Sequence, residues 1–457
     1  MGAMSNGSSA ELLANPEREN ELLVGIAQRA LDQARAGGAE QAEVSVSSSL
    51  SREAGVRLGE IELLEEARDR GLRVTAYIGQ CSGTASTGDL RPEVIDQCVE
   101  RALAIARQTQ RDRAAGLAPA ELMAREFPDL DLWHPNDLEL DQLAERAKLM
   151  EQAGREADSR ISNSEGASVS SEASLSVYAN THGFLGSSRS TRHSQSCVLI
   201  AADEQGMQRD YDWDSARRFD ALAAPEQTGL AAAERTLRRL GARRVPTGPV
   251  PVLFAREVAR GLIGHLVSAV SGGNLYRRSS FLLDAAGQAI LPAGISLVEH
   301  PRLPGGSGSS AFDADGVATR ERALVNQGVL ERYVLSAYSA RRLGLETTAN
   351  AGGVRNLVVE ADRQPVDALI ERVGTGLLVT EVMGQGVNLV NGDYSRGAAG
   401  FWIENGRIAW PVEEITIAGN LKAMLAGIVG VGDDIDTRHN LRTGALLIDR
   451  MTVAGQS

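Results

Sequence analysis

Between residues 17 and 36, apolar side chains recur at helical spacing. Leu22, Leu23, Ile26, Ala27, Ala30 and Leu31 form one stripe, which Gly37-Gly38 closes. The period then changes. "AEVSVSSSL", "EAGVRLGEIELLEEA" and "GLRVTAYIG" alternate or run β-branched between glycines, the pattern of an antiparallel meander. Two more helices are predicted over "RPEVIDQCVERALAIARQT", with Pro92 in its first turn, and "LELDQLAERAKLMEQAGREA". A polar, proline-bearing connection separates them. Strand patterning returns from about 159 to 215, with turn signals at "NTHG" and "DEQG". This half reads as helices laid on an antiparallel sheet, an α+β arrangement.

"APEQTGLAAAERTLRRLGA" predicts another helix, and the "RRVPTGPVP" that follows marks a domain boundary near residue 245. Beyond it the strand-like "VPVLFA" feeds a helix over "REVARGLIGHLVSAV". The rest is rich in glycine and strand. "LVNQGVLERYVLS" and "FWIENGRIAWPVEEITIAG" each carry an Asn-Gly type turn, at Asn326 and Asn405, between apolar segments. With "RNLVVEA" they predict a strand-rich, barrel-like second domain. The expected division is a leader over 1–16, an N-terminal α+β domain over 17–244, and a C-terminal domain over 245–457. The opening "MGAMSNGSS" reads as an expression scar and a loose terminus.

At 457 residues the chain exceeds one ordinary core, so two domains fit its length as well as its pattern. No run approaches the roughly eighteen apolar residues of a membrane span, and no signal peptide is evident. Lys and Arg number 47 against 60 Asp and Glu, a net charge of −13, which disfavours nucleic acid. The basic run "ERTLRRLGARR", residues 234 to 244, fits a solvated helix end at least as well as a binding patch. Cys81, Cys98 and Cys197 form neither a disulfide framework nor a zinc knuckle, and suit a reducing cytoplasm. Each reads as a small buried apolar residue. Cys197 lies four after His193, on the same face if that stretch is a strand.

The sharpest chemical question sits in "FAREVARGLIGHLVSAVSGG", residues 254 to 273. Catalytic zinc takes three protein ligands and an open position for water, and hydrolysis adds a general base. The H-E-x-x-H pattern puts its histidines four apart on one helix face. Four before His265 stands Gly261 and five before stands Arg260, and neither binds zinc. Glu257 is two turns away and pairs with Arg260 or faces solvent. His134, His182, His193, His300 and His439 make no helical ligand pair. His265 lies within about 20° of an apolar stripe through Val258, Leu262 and Leu266, the setting of a hydrogen-bonded core or interface histidine. "PGGSGSS", residues 304 to 310, lacks the Gly-Lys-Ser/Thr of a phosphate loop and reads as a flexible surface loop.

Four long blocks carry a resemblance. They are "GLIGHLVSAVSGG", "PGGSGSSAFDADGVATRERALVNQGVLERYVLSAYSARRLGL", "GQGVNLVNGDYSRGAAGFWIENGRIAWPVEEITIAGNL" and "LLIDRMTVAG". With "GLRVTAYIGQCSGTAST" in the first half, the chain past its leader resembles the TldD/PmbA family, also called modulators of DNA gyrase. The resemblance implies one half of a heterodimeric zinc metalloprotease. In the TldD branch an H-E-x-x-x-H helix and a C-terminal cysteine hold zinc. Here Arg260 and Gly261 stand for the first histidine and the glutamate, and only His265 matches. After "GVGDD" comes "IDTRHNLRTGALLIDRM", without cysteine. The chain is therefore similar to the PmbA, or TldE, branch.

That likeness implies no catalytic residue and no metal on this chain, with zinc on a TldD-like partner and unfolded peptide as substrate. A homodimer in the partner's absence is left open, as are activity of this chain alone and a regulatory role toward gyrase. Ligands five apart on a helix diverge by about 140°, so a bulge or bend at Gly264 would be inherited from such a site. Asn388, Asp393 and Tyr394 in "GQGVNLVNGDYSRG" are the expected peptide or partner contacts. Tyr394 equally suits a partner interface, and Asp393 equally suits a turn.

Overall fold

A computed structural model describes residues 12, 13 and 15–455. The leader expected over 1–16 falls largely outside the described residues. Leu12, within it, is fully buried among the N-terminal core side chains. Two compact units are present. One holds the chain up to Ile200 with Asp210–Arg235 and Ser310–Thr319, and the other holds Ala201–Arg209, Thr236–Ser309 and the chain from Arg320.

Among the described residues the first unit is built on a sheet of six strands: β1 (Gln41–Arg57), β2 (Glu60–Ile78), β3 (Cys81–Thr87), β4 (Ile161–Asn180), β5 (Leu185–Asp203) and β6 (Gly206–Ala216), of which β5 beyond Ile200 and β6 before Asp210 are assigned to the second unit. Their order is β3-β2-β1-β4-β5-β6. The strands are far longer than the pieces legible in the sequence. Within "EAGVRLGEIELLEEA" the chain reverses at Leu58-Gly59, both at positive φ, so that segment is the tip of one long hairpin. Alternation puts Val44, Val46, Leu50, Leu72, Val74, Leu175 and Val177 on one face, against helices α1 (Pro16–Ala36) and α2 (Pro92–Gln108). Each such side chain contributes about 1.5–3 kcal/mol on burial. Helix α3 (Leu140–Glu156) meets α4 (Pro225–Leu237) at a pair of glycines, where a Cβ on Gly229 would come 2.0 Å from the Met150 carbonyl.

Among the described residues the second unit contains twelve further strands: β7 (Gly248–Phe254), β8 (Ser296–Glu299), β9 (Arg322–Asn326), β10 (Val329–Leu330), β11 (Leu357–Glu360), β12 (Arg363–Gln364), β13 (Gly376–Met383), β14 (Asp393–Glu404), β15 (Arg407–Asn420), β16 (Ile428–Gly432), β17 (Leu441–Arg442) and β18 (Leu446–Ala454). Five form a sheet in the order β10-β9-β8-β11-β17. In the other sheet, β18-β15-β14-β13-β7 closes on itself because β18 also pairs β7, giving the barrel that the strand pattern predicts. Both expected hairpins form. The left-handed pair is Asn405-Gly406 in one, and Gln327-Gly328 rather than Asn326 in the other. The "PGGSGSS" stretch departs from a free loop: Gly308 donates to Asn356 Oδ1 at 2.9 Å, and Asn356 Nδ2 donates to Ser309 Oγ at 2.7 Å.

Candidate functional site

Strand β7 ends at Phe254, and helix α5 (Arg256–Ala269) starts two residues later. Its apolar face, Ala259, Leu262, Ile263, Leu266 and Ala269, enters the main core of the second unit. This anchoring fixes how the rest of the helix is presented. Gly261 is exposed, and a Cβ there would meet nothing within 4 Å. Arg260 is half-buried. At Gly264 a Cβ would lie 3.7 Å from Leu441 Cδ1, ordinary contact. The helix stays α throughout, without the bulge that a five-residue ligand spacing would leave.

His265 is half-buried beside the apolar face, its ring edge-on to Tyr394 at 6.1 Å between centroids. Neither ring nitrogen is hydrogen-bonded to a described residue, so the expected hydrogen-bonded histidine is not what the fold builds. Burial lowers its pKa, and the Arg396 guanidinium lowers it further. Glu257 sits 3.5 Å from Arg256 Nε. Among the described residues, no group of three or more His, Cys, Asp and Glu side chains is placed to share a metal ion.

The β13–β14 connection divides the other three expected residues by role. Asn388 holds the turn: its Oδ1 accepts from the Val390 N–H at 2.9 Å, and its own N–H donates to the Asp393 carbonyl at 2.8 Å. Exposed Asp393 accepts from Asn391 Nδ2 at 2.7 Å and Asn420 Nδ2 at 3.3 Å. Strand alternation turns the next residue inward, and Tyr394 is 4% exposed. Burial pushes its phenol up to about 12. The glycines here serve their own hairpin, since a Cβ on Gly386 would meet the Ser395 carbonyl at 1.7 Å. Arg396, two residues along β14 from Tyr394, is a charged neighbour the sequence did not single out. Its period-two spacing from a candidate aromatic was the available signal.

The remaining candidates resolve into structure. His193 and Cys197 do share a buried strand face. However, the His193 ring is engaged by Ser171 Oγ at 3.0 Å and the His134 carbonyl at 3.3 Å. Burial pushes the Cys197 thiol up to about 12, far from a nucleophile's range. The basic run is drawn into packing rather than left solvated: Arg239 pairs with Glu381 at 2.6 Å, while Arg238 and Arg243 lie over Phe401 and Trp410.

Comparison with known proteins places this architecture. Three consecutive domain signatures match: PmbA/TldA metallopeptidase domain 1 over 42–106, the central domain over 133–240 and the C-terminal domain over 247–455. The chain belongs to the PmbA/TldA metallopeptidase family. Its similarity to metalloprotease PmbA of Escherichia coli O157:H7 is 45% identity over 446 residues, 98% of this chain and 99% of that one. Among solved structures, a Bacteroides thetaiotaomicron protein named as a modulator of DNA gyrase superposes with a TM-score of 0.90 at 29% identity, covering 96% of this chain and 99% of that one. TldE from Thermococcus kodakarensis shares the fold at TM-score 0.82 and 20% identity, over 94% and 100% of the two chains. The PmbA/TldA C-terminal domain signature contains α5 and the whole β13–β14 connection.

Proposed function

We propose that this chain is the PmbA/TldE-type subunit of a heterodimeric zinc metalloprotease that acts on unfolded peptides, and that a TldD-like partner carries the zinc. Membership of a metallopeptidase family supports peptide hydrolysis as the shared activity. One observation carries the division of labour. On α5 a guanidinium and a bare glycine stand where donors would be needed, and the neighbours of His265 are a phenol and a second guanidinium. Those groups do not fit a site needing three ligands and a base, so no step is routed through a metal on this chain.

Its own residues would instead shape the space in which a peptide lies, in a compartment such as the cytoplasm, without membrane or nucleic-acid contact. No helix among the described residues is long and apolar enough to cross a membrane. Asn388 and Asp393 would act by fixing the β13–β14 connection, and Tyr394 by presenting its ring from within. Co-expression with a TldD-like chain tests the reading through sizing, zinc measurement and peptide cleavage with and without the partner. Heterodimer formation with partner-dependent zinc and cleavage is expected; unaided cleavage by this chain overturns it. The name metalloprotease borne by the E. coli relative favours that rival, activity of this chain alone.

A further inference from the structure

Tyr394 combines two facts that do not ordinarily coexist. It is 96% buried (4% exposed), yet its hydroxyl makes no hydrogen bond to any described residue. A buried phenol normally finds a partner for its O–H. The oxygen is also not one of the fully enclosed polar atoms that lack a partner, which leaves it open to solvent at that point. Two nitrogen-bearing side chains accompany it. His265 lies edge-on to the ring at 6.1 Å, with neither of its nitrogens bonded to a described residue. Arg396 follows on the same face of β14 and is the charged group that acts on both rings. It holds the carbonyls of Met383 and Val382 only at 3.3 and 3.4 Å, through Nε and Nη2. Its Nη1 has no described partner.

The His265 and Tyr394 rings thus touch, Arg396 follows two residues along the same strand face, and no carboxylate among the described residues is hydrogen-bonded to any of the three. Asp393, the nearest acid in sequence, alternates to the other face and is engaged by Asn391 and Asn420.

We infer that Tyr394, His265 and Arg396 form a receptor for a carboxylate of a peptide. A carboxylate is acceptor-only and takes charge-assisted bonds from a guanidinium while accepting from a phenol. It would satisfy the hydroxyl, the spare guanidinium nitrogen and an imidazole N–H together. The choice of peptide as its bearer rests on the proposed function; the donor cluster does not.

Isothermal titration of the full-length chain tests it, using N-acetyl-Ala-Ala-Leu as the free acid, the same tripeptide as its C-terminal amide, an amide with an internal Asp, and acetate. The free acid is expected to bind about tenfold more tightly than the plain amide, the scale of hydrogen bonds to a charged group. Tyr394→Phe, which keeps the buried ring and removes only an unpartnered hydroxyl, should weaken the acid several-fold. Arg396→Gln should bring it down to the amide. If the Asp-bearing amide matches the free acid, the receptor stands and takes a side-chain carboxylate. Acid and plain amide binding alike, neither binding, acetate binding as tightly as the tripeptide, or an unchanged affinity in a natively folded Tyr394→Phe would each overturn it. The readout is binding by the isolated chain, so its failure leaves the partner-subunit reading intact, and failure to find a zinc-bearing partner leaves this receptor intact.

Discussion

Replacing both Gly261 and Gly264 by alanine should strengthen helix α5. Neither glycine is held by its surroundings: nothing lies within 4 Å of a Cβ at 261, and one at 264 would touch Leu441 Cδ1 at 3.7 Å. Neither has a positive φ. The cost of glycine in a helix interior, about 0.5–1 kcal/mol relative to alanine, is therefore recovered in full. Two such changes, far enough from strain to add, amount to about 1–2 kcal/mol, or a factor of roughly 5–30 in a local opening equilibrium. Hydrogen exchange read by mass spectrometry on peptides from 256–269 measures that factor without assuming that a two-unit protein unfolds in one step. Gly83→Ala supplies the contrast. There the new methyl would sit 2.1 Å from the Ala102 carbonyl and 2.3 Å from the Ala106 nitrogen, forcing β3 and α2 apart at a cost of about 1–3 kcal/mol or more. A fall in protection of α5 in the double variant would refute the reasoning, because it would mean that this helix needs the glycines to bend.

Other outcomes are equally specific. Iodoacetamide followed by mass spectrometry should label Cys81 in the native protein while Cys98 and Cys197 stay protected, since both are buried and burial raises both thiols; native labelling of Cys197 would contradict the packing of β5. Gly229→Ala, with its Cβ 2.0 Å from the Met150 carbonyl, should cost about 1–3 kcal/mol and lower the melting temperature, whereas an unchanged melt would deny the α3–α4 contact. Glu43 is the group whose titration should mark stability. Burial raises its pKa from the ordinary 4.5, although Tyr178 and Tyr77 donate to it at 2.8 and 2.9 Å. A raised folded value means that stability is fully present below the unfolded value and declines as pH climbs through the folded one. Glu43→Gln should remove that decline, so urea midpoints of wild type and variant should diverge above pH 4.5; parallel curves would disprove it.

Much of the fold was legible because most elements declare their own period. The stripe from Leu22 to Leu31 and the alternation through "AEVSVSSSL" need only their own residues to be read, and "NTHG", "DEQG" and the two Gly-containing hairpins fall at chain reversals. The Leu58-Gly59 turn was hidden because strand-forming residues surround it closely on both sides. Contacts between distant segments left no local mark: Gly154 and Gly229 look like weak points in their helices until the two are seen to cross. The same holds at the candidate site. Turn chemistry exposed Asn388 and Asp393, whose side chains hold the turn. Tyr394 was found, but its contact with the His265 ring joins segments far apart in sequence, and Arg396 gains its meaning only from that neighbour.

The account turns on where the catalytic ion resides, so metal analysis of the purified chain, alone and after co-purification with a TldD-like partner, tests it most directly. The prediction is substoichiometric zinc and no peptide cleavage for the chain alone, with both zinc and cleavage arriving with the partner. Stoichiometric zinc on the isolated chain, lost in His265→Ala together with unaided cleavage, would contradict it.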